Sequence, residues 1–381
     1  MIIMVFSLLY ISATHARADG NLCFDRPHLG SYQIGDQIIG TSIQESKAYM
    51  IDNMNNLFII DISDPMFPVL ISENHLPISV HGFIDSGIDE ISVVGTIAYI
   101  ALGFGGIAVV DVSDFASPTV VAQFITPDFA YSVFAQGTTV YVAGEGGLHI
   151  IDAGNPSSPV LLGSYATAGQ ARNVVVDGDL AYVGLFGTGG IQVVDIADPA
   201  SAELLITIPA SSNVYKVSVV GSTVSSLTAN SGMQVFDLSD PALPVLLGEY
   251  DPQGSIRTST VVGTTAYISA GSSMHVVDFG DPASPVWQGS YDDVGWPESI
   301  VVSGHIAYLG LNYAGLQIID VSDCPPCAAD ISGDDGLNFL DISAFLTAFG
   351  ALDQIADFEA DGNFNFLDVS AFLAAFAAGC P

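Results

Sequence analysis

The sequence is poor in basic residues, cysteine, tryptophan and long apolar stretches. Only 6 Lys+Arg stand against 41 Asp+Glu in 381 residues, a formal net charge of −35. So acidic a chain repels phosphate, which excludes nucleic acid and anionic membrane surfaces as expected partners. No apolar run is long enough to cross a bilayer; the N-terminal run Ile2–Ile11 falls well short. The Gly-x-Ser-x-Gly elbow, His-Glu-x-x-His and a phosphate-binding Gly-Lys motif are all missing, so no catalytic residue is assigned. What remains is half hydrophobic and punctuated by 39 Gly and 19 Pro. That composition excludes a disordered acidic tail and reads as many short strands joined by tight turns.

The run Ile2–Ile11 precedes Ala16-Arg17-Ala18, a small-x-small cleavage site, so residues 1–18 read as a secretory signal peptide lacking the usual basic start. The chain is therefore expected outside the cell, attached to its surface or free. Four cysteines in an exported protein point to two disulfides.

One phrase recurs along the chain. Its first Asp falls at Asp61, Asp111, Asp152, Asp195, Asp237, Asp278 and Asp320, with spacings of 50, 41, 43, 42, 41 and 42. Such a period signals a propeller or solenoid, and no unit shows the 3.6-residue periodicity of a helical solenoid. Each unit holds four short apolar runs, as in Asn173–Val176, Leu180–Gly184, Ile191–Ile196 and Leu204–Ile208. Four antiparallel strands make one propeller blade. The repeated Asp reads as a backbone cap of the turn that follows. The seventh unit stops at Asp323, before its fourth strand. Leu29-Gly30-Ser31-Tyr32 matches Leu162-Gly163-Ser164-Tyr165, so the N-terminal segment is predicted to supply that strand and close the ring. Cys23 and Cys324 then map to one turn of an unbroken repeat. A Cys23–Cys324 disulfide is expected to staple the ring, leaving Cys327 for Cys380.

Residues 189–199 and 314–323 resemble the LVIVD repeat family, and the resemblance covers roughly residues 29–323. It implies a bacterial or archaeal surface or secreted propeller, mostly of unassigned activity. Blade five departs from the pattern: Val224-Ser225-Ser226 replaces the usual Ala-Tyr.

The C-terminal segment carries a different duplication. Asp330, Ser332, Asp334, Asn338 and Asp341 stand at positions 1, 3, 5, 9 and 12 of one loop, and Asp357, Glu359, Asp361, Asn365 and Asp368 do so in a second, 27 residues later. This is the ligand spacing of an EF-hand-type calcium loop, with Gly336 and Asn363 offering backbone carbonyls at position 7. Loop one departs from the pattern, since Asp335 stands where Gly normally allows the sharp turn. Each loop runs into an apolar stripe, Ile342, Phe345, Leu346, Phe349 and Val369, Phe372, Leu373, Phe376, spaced for a helix. The loop–helix pair resembles a type I dockerin module, including Asp at position 12. Cys-Pro-Pro-Cys before it and Gly-Cys-Pro at the end resemble cysteine-flanked dockerin-like tails of planctomycete secreted proteins. The resemblance implies two calcium ions and a cohesin-like or cell-surface scaffold partner. Nine carboxylates with no Lys or Arg in residues 324–381 repel one another unless cations intervene.

Function in a repeat protein is expected where the repeat is broken. The link Glu73–Glu90 between blades one and two holds His75, His81, Asp85 and Asp89; a solvated loop is the default reading, a His/Asp metal site the sharper one. Aligned blades place Ile39, Asp89, Tyr131, Arg172, Tyr215, Arg257 and Glu298 at one level, where the innermost strands begin, with Lys216 adjacent. Three of the five basic residues beyond the signal peptide (Arg26, Lys47, Arg172, Lys216, Arg257) thus gather at the channel mouth beside Tyr131 and Tyr215. Such a spot suits a carboxylate-bearing ligand, an acidic glycan or peptide. Alternatively, these cations simply pair with nearby carboxylates.

The expected architecture is an all-β seven-bladed propeller (residues 19–323) followed by a small all-α double EF-hand-type module (324–381). The favoured function is a secreted, non-catalytic binding or scaffold propeller anchored through a calcium-dependent tail. The alternatives are a dockerin-borne glycoside hydrolase or lyase, with Asp89 and Glu298 as its only evident carboxylate pair, and a structural surface-layer component.

Overall fold

A computed structural model describes residues 28–77, 91–228, 231–240, 243–252, 254–292, 294–322, 339–351, 356, 358 and 364–378. Residues 27–322 form one compact unit, and the two C-terminal helices belong to another. The expected signal peptide, all four cysteines and both proposed disulfides lie outside the described residues, as do His81, Asp85 and Asp89.

The larger unit is a seven-bladed β-propeller of seven four-stranded antiparallel sheets. Six sheets take consecutive strands in simple meander order. In the seventh, the N-terminal strand Gly30–Tyr32 lies outermost against Gly315–Asp320, with Gly30 opposite Ile318, Ser31 opposite Gln317 and Tyr32 opposite Leu316. The chain closes its own ring as the sequence predicts. At the seam Tyr308 packs with Ile38, Ala48 and Met50 of blade one, and Ser299 Oγ donates to Thr41 Oγ1 at 2.7 Å.

Burial grades outward along each blade. The second and third strands lie between two neighbouring blades and are buried on both faces, which is why they read as unbroken apolar runs such as Ile191-Gln-Val-Val-Asp. The outer strands are mostly exposed, three residues in succession at the start of Val160–Ala166 and of Glu203–Ile208. Each strand-two Ala-Tyr or Val-Tyr buries its ring against the next blade. Tyr49 packs with Ile91 and Ile100, Tyr99 with Val133 and Val142, and Tyr182 with Val214 and Val217.

The turns explain the sequence phrases. Hairpins between strands one and two have two residues, and the first is Gly95, Gly137, Gly178, Gly221, Gly263 or Gly304 at φ +57 to +60. A left-handed residue is what such tight hairpins require, and blade one uses Glu45 at φ +54 instead. The seven repeated Asp residues are all caps. Asp61, Asp111, Asp152, Asp195, Asp237, Asp278 and Asp320 each accept the backbone N–H two residues on, at 2.7–2.9 Å. The Asp-Pro phrase is a second Asx turn: Asp64 Oδ1 accepts from Met66 N, and Asp64 O from Phe67 N. The glycine of the Leu-Gly-Ser-Tyr phrase has a packing reason. A Cβ on Gly163 would sit 1.8 Å from Pro199 O in the next blade, and one on Gly248 the same distance from Pro282 O. Only a bare backbone lets the neighbouring turn approach so closely.

In the second unit, α1 (Phe339–Ala351) and α2 (Phe366–Ala378) follow the two loops. Phe345 and Phe372 stack face to face, ring centroids 4.1 Å apart, and Phe358 meets both edge-on. Ile342, Phe349, Val369 and Phe376 complete the seam. The predicted stripes are narrower than the spacing suggested, because Leu346 and Leu373 point outward and are 58% and 49% exposed. No described helix is long and apolar enough to cross a membrane.

Two predictions arise from these turns. Gly163→Ala forces the neighbouring turn to shift and should lower stability by about 1–3 kcal/mol in urea denaturation, as overpacking does. Asp61, Asp111 and Asp237 have carboxyls held below their ordinary range, first by the hydroxyl of the serine two residues on and then by its N–H. A folded-state pKa below the unfolded one means stability that is present at neutral pH and lost as pH falls through the carboxylate range. Asn accepts the same bond without titrating, as Asn155 does from Ser157 N. The triple Asn variant gives up the carboxylate charge and, at Asp61, the ion pair with Lys47 Nζ at 3.3 Å, so it should melt below wild type at pH 7 and lose less on acidification.

Candidate ligand-binding face

The innermost strands all begin on one face of the disc, and most begin with an irregularity. The ladder slips by one residue between Ile38 and Gly40, Ala130 and Ser132, Ala171 and Asn173, Val214 and Lys216, and Pro297 and Ser299. The residues left unopposed are Ile39, Tyr131, Arg172, Tyr215 and Glu298. Five of the seven residues aligned from sequence are thus the extra residue of a β-bulge, a device that re-aims a side chain. In blade six the strand starts two residues later, and the N–H groups of Arg257 and Thr258 both donate to Ser269 Oγ at 2.9 Å. The blade-two member, Asp89, lies outside the described residues.

Bulge residues of adjacent blades meet. The Arg172 guanidinium lies 4.2 Å from the Tyr131 ring centre and 4.7 Å from that of Phe186. Phe186 packs on Tyr215 with centroids 5.9 Å apart. On the other side Tyr131 contacts Phe129 at 4.6 Å, which meets Phe104 edge-on at 4.9 Å. A continuous aromatic run, with one cation inserted, thus crosses blades two to five. Arg172 is largely buried in it, Tyr131 and Tyr215 are half-buried, and Phe104 is exposed. Lys216, the residue after the bulge, is half-buried and pairs with Leu227 in the ladder.

Arg257 behaves differently. Its Nη1 donates to both oxygens of the buried Glu298, at 2.9 and 3.0 Å, and Asn312 Nδ2 donates to Glu298 Oε1 at 3.2 Å. The simpler reading of Arg257, that it pairs with a neighbouring carboxylate, holds. Glu298 is correspondingly committed: its oxygens are occupied, which leaves little room for acid–base work.

Sequence alignment missed Phe104, Phe129, Phe186 and Asn312. A signal was present. Met54, Phe104, Phe186 and Tyr313 all sit in or beside the hairpins between strands two and three, which open on the same face. Large side chains in Gly- and Asn-rich turns carry no core and are exposed for another reason. Met54, Phe104 and Tyr313 are exposed, as is Trp296 beside them in blade seven.

A Ser-His-Asp constellation also escaped the sequence reading. His149 Nδ1 lies 2.9 Å from Ser164 Oγ, and Nε2 lies 3.0 Å from Asp128 Oδ1, whose other oxygen accepts from Gly146 N. Register explains it. His149 lies opposite Ser164 as Gln192 lies opposite Thr207 and Gln234 opposite Glu249. Gln192 Oε1 accepts from Ala168 N and Gln234 Oε1 from Ser211 N, tying the loop that leaves the outer strand. His149 occupies the same architectural position. So does His275, whose Nδ1 meets the Tyr250 hydroxyl at 3.0 Å. Burial lowers the His275 pKa and, with the charge of Asp251, pushes Tyr250 up to about 12, so at neutral pH a phenol donates to a neutral imidazole.

His75 closes the outer strand Val69–His75 and meets Asn56 Oδ1 through Nδ1 at 3.1 Å; the start of the supposed link is strand. Of the calcium-loop residues, Asp341, Asn365 and Asp368 are described. Asp341 and Asp368, the two position-12 carboxylates, are fully buried, and Asp368 Oδ2 accepts from Asn365 N at 2.8 Å. Among the described residues no cluster of three potential metal ligands assembles.

Segments 41–74, 88–126, 129–167, 168–208, 228–252, 254–293 and 295–325 match the LVIVD repeat, more than half of the chain, and the protein belongs to that family. The blade-five match begins only at residue 228, after the departure at Ser225. Among solved structures, the chain is similar to the β-propeller domain of Cps50 (Swd1) from Myceliophteria thermophila, at 13% identity and TM-score 0.61, covering 78% of this chain and 99% of that one. It is also similar to the computationally designed protein Ika8, at 12% identity and TM-score 0.57, covering 77% and 99%. At such identities the likeness concerns the fold alone. No curated protein matches the sequence.

Arg257→Ala strands a buried carboxylate and should cost about 3 kcal/mol of unfolding free energy, the scale for breaking a buried pair. The double variant with Glu298→Gln should recover part of that loss in the same urea titration.

Proposed function

We propose that this LVIVD-repeat propeller is an exported, non-catalytic binding protein whose bulge face takes an acidic glycan, and that its C-terminal module docks it to a cohesin-like or cell-surface scaffold in a calcium-dependent way. The carrying observation is the aromatic run Phe104–Phe129–Tyr131–Arg172–Phe186–Tyr215, with exposed Trp296 and Tyr313 on the same face. Flat apolar rings with a few polar and cationic groups among them are what a ring-shaped, hydroxyl-bearing ligand packs against. Arg172 and Lys216 add positive potential in a chain otherwise strongly acidic, which favours a uronic acid over a neutral sugar. An acidic peptide would use the cations but not the extent of aromatic surface.

For the tail, the donor chemistry fits calcium. Asp341 and Asp368 are buried, and a buried carboxylate is costly unless a cation or several donors compensate it. They would be joined by Asp330, Ser332, Asp334, Gly336 and Asn338 in one loop and by Asp357, Glu359, Asp361, Asn363 and Asn365 in the other. When bound, calcium supplies the positive charge that holds these oxygens together. The outward Leu346 and Leu373 occupy matching places on α1 and α2 and offer apolar contacts to a partner.

A pull-down on acidic glycans and on surface extract, run with calcium and with EDTA, tests both parts. Glycan capture should persist in EDTA and fall roughly tenfold or more in Arg172→Ala/Tyr215→Ala. Capture of a surface protein should vanish in EDTA. Equal glycan retention by wild type and double variant would refute the face, and EDTA-resistant surface capture would refute the tail.

A further inference from the structure

Blade five differs from the other six at one buried position. Strand two carries Tyr49, Tyr99, Tyr141, Tyr182, Tyr267 and Tyr308 in the other blades, each no more than 7% exposed, and Ser225 stands in their place. Register is intact, with Ser225 opposite Ser218 and Val235, so the substitution removes a ring without moving the strand. A cavity of about 300 Å³ remains between blades five and six, lined by Ser225 itself with Ser218, Thr223, Met233, Val261 and Phe279 among others. Phe279 lies where the other blades have Ile62, Val112, Ala153, Ile196, Leu238 and Val321; its larger side chain faces the gap without filling it.

We infer that this gap is a binding pocket for a single-ring aromatic of the phenol class. A tyrosine side chain is a para-alkyl phenol, and the six intact interfaces show how this fold seats one. The missing ring leaves the same walls unoccupied. A dry apolar cavity of about 150 Å³ is enough to take benzene, so this one has room for a substituted ring. The polar end is matched as well. The Tyr141 hydroxyl meets the Thr139 side chain and feels Asp179 of the next blade's hairpin. The corresponding residues of blades five and six, Thr223 and Thr264, both line the pocket, with Gly263 beside them. A phenol hydroxyl seated there meets a threonine hydroxyl at the mouth while its ring lies against Val235, Val261, Met233 and Phe279. The pocket opens among the hairpins joining strands one and two, at the opposite ends of the blades from the bulge face, so its occupancy is independent of glycan binding.

The test uses the full chain with phenol and p-cresol. Ligand-observed NMR should show saturable binding of both to wild type, and at about ten times the dissociation constant calorimetry should show a melting temperature about 2 °C higher. Ser225→Tyr should melt higher than wild type without ligand and lose both the NMR signal and the ligand-induced shift. Val261→Phe, which narrows the space from the facing blade, should also lose phenol binding, and it decides the matter if Ser225→Tyr fails to fold. Absence of saturable binding to wild type, or binding to the filled variants undiminished, would overturn the assignment.

Discussion

Every blade of this protein depends on having a neighbour on each side. Its two middle strands are apolar on both faces, and a single four-stranded sheet cannot bury both. Each interface is therefore shared: in six of the seven, the strand-two tyrosine of one blade is buried against the next, as Tyr49, Tyr99 and Tyr182 are against its first two strands. A linear array with this pattern would leave two raw faces at its ends. The seventh interface, where Tyr308 packs on Ile38 and Met50, removes them. The N-terminal strand completes the last sheet from outside, so chain ends far apart in sequence are held in one ladder.

The same interlocking determines where variation is tolerated. Asx caps recur in all seven blades and a left-handed hairpin glycine in six, whereas the outer-strand glycine that meets the neighbouring turn stands in blades three, five and seven and is Ser72, Ala122 and Ile206 in blades one, two and four. The bulges that open the innermost strands share one backbone geometry, but their residues differ from blade to blade: Ile39 is buried in the interface of blades one and two, Arg172 and Glu298 are buried against groups of adjacent blades, and Tyr131 and Tyr215 are half-buried. A position fixed in backbone and varied in side chain, as at the half-buried Tyr131 and Tyr215, is where a propeller can acquire recognition with little disturbance of its core. The loss of tyrosine at Ser225 is the opposite kind of change, since it alters an architectural position and leaves a void that the neighbouring blade does not close.

Much of this was legible beforehand. The period, the four strands per unit and the capping role of the repeated Asp follow from pattern alone, because each is a local requirement repeated seven times; the ring-closing N-terminal strand follows because its phrase matches the one the seventh unit lacks. The level shared by Tyr131, Arg172, Tyr215 and Glu298 was also readable, since it depends only on aligning the repeats. Phe104, Phe129 and Phe186 were not, because they sit in loops of unequal length where alignment fails. The outward Leu346 and Leu373 escaped for another reason: spacing defines a helical face but not its width against a particular partner.

The sequence alone determined the number of blades, their register and the turn chemistry, as these rest on contacts within a few tens of residues. It also determined the excess of negative charge that makes a few cations conspicuous. Which of those cations are engaged was decided only by the tertiary structure. Arg257 is held by a carboxylate 41 residues away and Arg172 lies between rings of two different strands, contacts that exist only once the blades stand side by side. The void at Ser225 is likewise invisible in one dimension, because a missing side chain becomes a cavity only when the walls that would have enclosed it are in place.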